Sequence, residues 1–82
     1  SEGMTNQLNF WHGYSLYQQA VAEQEPQTLP SANLSLPKFN QALELLNLAG
    51  DYPESVGVNL QQLLDNAGTY IEIQDAIIKR GQ

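Results

Sequence analysis

Residues 45–52, LLNLAGDY, are echoed eighteen residues later by residues 63–70, LLDNAGTY. Whether each copy ends a helix decides how many helices the chain has. In the first copy, Gly50 suits the left-handed conformation that closes a helix. Asp51-Tyr52-Pro53-Glu54 then reads as a capping box for the next helix, with Asp51 as the cap. In the second copy, Leu60, Leu64, Ala67, Ile71 and Ile78 keep one helical face in register through Gly68, and no proline follows. The third helix is therefore expected to run on over residues 52–80, with Gly68 giving a neighbouring helix room to approach. Thr69 and Glu72 cap a fourth helix if the third breaks at Gly68. An offset of eighteen residues is five turns at about 3.6 residues each, so both copies face one way without common descent.

Upstream, Phe10, Tyr14, Tyr17 and Val21 follow helical spacing, and Trp11 widens their stripe. This predicts a first helix over residues 6–24. Residues 1–5 read as a disordered lead-in or an expression remnant, with Met4 as the native start. Pro26 and Pro30 lie in EPQTLPSANLS, which has the composition of a connecting loop. Ser35 ahead of Leu-Pro-Lys-Phe reads as the N-cap of a second helix over residues 36–49, with Leu36, Phe39, Leu43 and Leu46 inward. YIEIQ alternates like a strand, but a lone strand has no pairing partner. The expected fold is all-α: a small antiparallel three-helix bundle in one domain, with four helices if Gly68 interrupts the last.

Composition narrows the function classes. Apolar residues make up 41% and charged residues 15%, a globular rather than disordered balance. Nine acids against three bases give a net charge of −6, which opposes nucleic-acid binding because that affinity comes from clustered Lys and Arg. The chain has no cysteine, so it has no disulfide, thiolate metal site or thiol nucleophile. No apolar run approaches the roughly 20 residues of a membrane span, and no signal-peptide pattern opens the chain. Cytoplasmic is the default location.

Chemistry-bearing motifs are sparse. His12 is the sole histidine and lacks the partner spacing of a metal or acid–base site. The acids are dispersed, and no glycine-rich phosphate loop is present. No cofactor, metal or catalytic residue is expected; the enzyme alternative rests on His12 alone. Ser35, at an expected helix start in an acidic chain with pI near 4.2, is the candidate for a modified residue of a carrier or docking domain. Its context resembles an acyl carrier protein, although Leu34 stands where those carriers have Asp ahead of the modified serine. Asn33-Leu34-Ser35 also fits a glycosylation acceptor. Phe10, Trp11, Tyr14 and Tyr17 are more aromatic surface than one stripe of a small bundle buries. Trp11, Tyr14 and Tyr17 are therefore the candidate partner-binding residues.

Gly13-Tyr14-Ser15-Leu16-Tyr17 followed by Phe39-Asn40-Gln41-Ala42-Leu43 resembles the helical hairpin of a tetratricopeptide repeat. LYQQAVAEQE, then KFNQALELL, then a long third helix is also similar to the three-helix microtubule-interacting-and-trafficking domain. Both families lack the long proline-containing connection between the first two helices. The resemblance implies a helical fold and peptide binding. The expected function is a non-enzymatic interaction module for a helix or short peptide of another protein, with surface acidity favouring a basic partner.

Overall fold

The computed structural model describes residues 1–81. Among them the chain is all-helical, without a strand, and runs α1 (Glu2–Glu23), α2 (Leu29–Asn47), α3 (Tyr52–Ser55) and α4 (Leu60–Arg80). The expected helical class holds. Three long helices are compatible with the expected bundle, a fourth of a single turn brings the count to four, and the break lies at Gly57 rather than Gly68.

Helix α1 begins at Glu2 because Ser1 caps it: the Ser1 hydroxyl accepts from the Met4 N–H at 3.3 Å. Residues 2–5 are thus its first turn, not the expected lead-in. Helix α2 begins seven residues before the expected residue 36. Thr28 is its N-cap, and Thr28 and Ser31 form a reciprocal capping box: Thr28 Oγ1 accepts from the Ser31 N–H at 3.3 Å, and Ser31 Oγ accepts from the Thr28 N–H at 2.8 Å. Thr28-Leu29-Pro30 and Ser35-Leu36-Pro37 carry the same start signal. Only the first has a partner three residues on that can accept in return, since Ser35 is followed there by Lys38. Pro30 therefore opens the helix in its first turn, and Pro37 sits inside it. Lys38 instead pairs with Glu23 of α1 and holds that carboxyl below its usual range.

The first copy of the echo closes α2. Leu46 and Ala49 are buried, and Gly50 adopts φ +59°, as expected. Asp51 makes no side-chain capping bond, which corrects the expected capping box. α3 is a single turn containing the buried Pro53; Gly57 follows at φ +80°, and the Val58 N–H donates to the Pro53 carbonyl at 2.8 Å. A second helix start then needs a new cap. Asn59 supplies it, its Oδ1 accepting from the Gln62 N–H at 3.0 Å. From there α4 runs unbroken through Gly68.

The three long helices run up, down and up. Asn9 Nδ2 of α1 donates to the Leu48 carbonyl at the end of α2 at 3.4 Å, and Glu23 at the other end meets Lys38. Phe39 of α2 stacks on Tyr70 of α4 at 5.1 Å, while Gly81 packs against Leu29. Close backbone packing joins α1 to α2 and α2 to α4 but not α1 to α4. The α1–α2 approach occurs at Gly13, where a Cβ would lie 3.0 Å from Leu45 Cβ and 3.2 Å from the Ala42 carbonyl oxygen. Gly68 was expected to play that part. A Cβ there would meet nothing within 4 Å.

The core centres on Phe10, Leu46, Ala49 and Leu63. On α4 the buried face is Leu63, Ala67, Gln74 and Ile77; of the expected inward set only Ala67 is fully buried, and Leu60, Leu64, Ile71 and Ile78 flank it. The face is turned because it includes a polar residue that an apolar pattern skips. Gln74 is fully buried, and its Nε2 donates to Gln24 Oε1 at 2.6 Å. Ser35 is fully buried one turn before Phe39, as Gln74 is one turn after Tyr70. The antiparallel register therefore sets Ser35 and Gln74 at one level of the bundle.

Candidate functional site

All seven aromatic side chains join one connected set of ring contacts. Phe10 is its inner end, with Trp11 edge-on at 4.8 Å, Tyr14 stacked at 5.7 Å and Tyr52 tilted at 5.8 Å. Tyr14 stacks on Tyr17 at 6.4 Å, and Tyr17 meets both Phe39 and Tyr70 edge-on at 6.1 Å. This gives the opening echo its structural sense. Tyr52 and Tyr70, the last residues of the two copies, occupy opposite ends of the aromatic set.

The rings occupy the space that α1 and α4 leave between them, and they do not fill it. A groove of about 370 Å³ remains, lined by Phe10, Trp11 and Tyr14 of α1, Val58 and Asn59 at the start of α4, and Gln62, Leu63 and Asn66 of α4. One wall is aromatic because Phe10, Trp11 and Tyr14 span one turn. The facing wall carries amides because Asn59, Gln62 and Asn66 recur at helical spacing around Leu63. No Asp, Glu, Lys, Arg or His lines the groove.

Trp11 stands at the mouth, 47% exposed, and its position is held. Its Nε1–H donates to Tyr52 Oη at 3.0 Å, and its ring meets Phe10 at 70° and Tyr14 at 73°. Met4 and Leu8, spaced to continue the same side of α1, are also exposed. Of the three residues expected to bind a partner, Trp11 and Tyr14 line the groove together. Tyr17 does not line it; it lies half-buried among Tyr14, Phe39 and Tyr70. Burial pushes the Tyr17 hydroxyl above its usual pKa, with the neighbouring Tyr70 and Tyr14 adding to the effect and the Asn66 side chain opposing it.

Sequence reasoning missed the α4 wall. The signal is Asn59-x-x-Gln62-x-x-x-Asn66, a polar pattern that a search for apolar periodicity passes over. It forms a wall of the groove only because α1 and α4 stand apart.

The other candidates fall elsewhere. His12 is exposed on α1. Ser35, expected as an N-cap and as a modification site, lies inside α2, fully buried, with its Oγ lacking a hydrogen-bond partner. Among the described residues no three His, Cys, Asp or Glu side chains gather as a metal site, and no helix is long and apolar enough to cross a membrane. Comparison of the chain with family models, with curated proteins and with solved structures returns no match.

Proposed function

We propose that this protein is a non-enzymatic interaction module that takes a short segment of another protein into the groove between α1 and α4. The observation that carries this reading is Trp11. A large ring left 47% exposed, yet fixed by a hydrogen bond and two edge-on ring contacts, is preorganised for a partner. The helical-hairpin resemblance supports the same reading, since Gly13, on which its first motif opens, lies where α1 touches α2. The carrier alternative would require Ser35 to leave the core before its hydroxyl could be modified.

A net charge of −6 steers basic partners toward the protein, while the groove lining is uncharged. Salt therefore acts on the encounter rate more than on dissociation. The test is selection of binders from a random peptide library, followed by titration against wild type and Trp11→Ala. Selected peptides should bind Trp11→Ala at least about tenfold more weakly, while the variant keeps wild-type helicity. Binders indifferent to Trp11 and Tyr14 would place recognition on another face and overturn the reading.

A further inference from the structure

Helix α1 differs from the other two long helices in charge. Residues 3–22 contain no Asp, Glu, Lys or Arg, whereas α2 carries Lys38 and Glu44, and α4 carries Asp65, Glu72 and Asp75. In a chain of net charge −6, α1 is the long helix along which a second copy of the chain can approach without like-charge repulsion. The acid at its C-terminal end, Glu23, is already paired with Lys38.

The outward side of α1 is also apolar. Met4, Leu8, Trp11 and Ser15 follow intervals of four, three and four, so they form one straight seam along the helix. All four are exposed, Met4 at 63%, Leu8 at 65% and Trp11 at 47%. Phe10, fully buried, and Gly13, whose missing Cβ faces α2, lie on the opposite side of the helix. Leu48, 56% exposed, extends the patch onto the end of α2, where its carbonyl accepts from Asn9, the residue after Leu8.

The seam is complementary to itself. With two α1 helices antiparallel about a two-fold axis, Leu8 of one copy meets Trp11 of the other, and Met4 meets Ser15, each pair occurring twice. The leucine meets a preformed surface, because Tyr52 and Phe10 fix the Trp11 ring. A parallel pair would set Trp11 on Trp11 and bring Glu2 beside Glu2 at two aligned helix N-termini. The antiparallel pair lays each Glu2 along the uncharged stretch of its partner.

We infer that the outer face of α1 pairs with the same face of a second copy, antiparallel, through Met4, Leu8, Trp11 and Ser15. The surface goes beyond the groove reading: of these four only Trp11 lines the groove. From Met4 to Ser15 the contact runs about 17 Å, which falls short of the roughly 800 Å² per partner of a standard interface. The dimer is therefore weak and forms at high protein concentration.

Sedimentation equilibrium from about 10 μM to about 1 mM, the range of weak association, should show the mass rise from 9.1 kDa toward twice that value. Leu8→Glu places a charge at the centre of the seam on an exposed position, so the variant should keep wild-type helicity and associate at least about tenfold more weakly. The chain has no cysteine, so introduced thiols report the register without interference. A protein carrying both Met4→Cys and Ser15→Cys should form a disulfide-linked dimer on mild oxidation, while Met4→Cys alone should not. A monomer at the highest concentration, or Leu8→Glu associating as tightly as wild type, would overturn the inference. Cross-linking by Met4→Cys alone would mean a parallel pair and would overturn it as well. Each of these results leaves the groove reading standing, because Met4, Leu8 and Ser15 are not in its lining and peptide selection tests it separately.

Discussion

Gly13 and Gly68 both lie inside right-handed helices, so helix propensity favours alanine at each by the same amount, about 1 kcal/mol. Their surroundings differ. At Gly68 the new methyl group meets nothing within 4 Å, so Gly68→Ala should realise the whole gain. For a chain of this size that is a rise of roughly 4–8 °C in Tm. At Gly13 the methyl would sit 3.0 Å from Leu45 Cβ, 3.1 Å from Leu46 Cγ and 3.2 Å from the Ala42 carbonyl oxygen. Two of those neighbours belong to or adjoin the α2 backbone and cannot rotate away. Overpacking of this kind costs about 1–3 kcal/mol, so Gly13→Ala should range from neutral to about 2 kcal/mol destabilising. The contrast between the two variants is the sharp quantity, about 1–3 kcal/mol in favour of Gly68→Ala. Urea and thermal melts followed by circular dichroism measure it. Equal shifts, or a Gly13→Ala protein more stable than Gly68→Ala, would show that α1 and α2 do not meet at Gly13 and would refute the packing described for the bundle.

Three further outcomes follow from the same structure. Gly50→Ala forces a Cβ onto a backbone at φ +59°, with Asn6 Nδ2 in its place, and should cost about 1–2 kcal/mol; a melt unchanged from wild type would contradict the left-handed end of α2. Ser35→Ala removes a fully buried hydroxyl that has no partner and adds a better helix former, so it should raise stability by up to about 1 kcal/mol; a large loss in urea melts would mean that the hydroxyl is satisfied in solution. The Tyr17 hydroxyl titrates above its unfolded value, so its contribution is complete below the ordinary tyrosine pKa and is lost as pH rises through the raised one. Thermal melts above about pH 10 should therefore fall less steeply for Tyr17→Phe than for wild type.

Helical spacing by itself determined the all-α class, the left-handed Gly50 and the continuity of α4 through Gly68, because these depend on local periodicity and on the backbone freedom of single residues. It also picked out Trp11 and Tyr14 as surplus aromatic surface. What it misplaced were choices between equivalent local signals. Thr28-Leu-Pro and Ser35-Leu-Pro are interchangeable as start sites until Ser31 answers Thr28 and the small residues Ala32 and Ser35 bury between helices. Gly13 and Gly68 are both helical glycines, and only the crossing of α1 over α2 decides which one needs to lack a Cβ. Gln74 belongs to the buried face of α4 because Gln24 meets it from across the bundle, a pairing between residues fifty positions apart that no local pattern contains. The groove has the same origin. Its aromatic wall was legible in one turn of α1, but its amide wall faces those rings only because α2 packs against both helices and leaves a gap between α1 and α4.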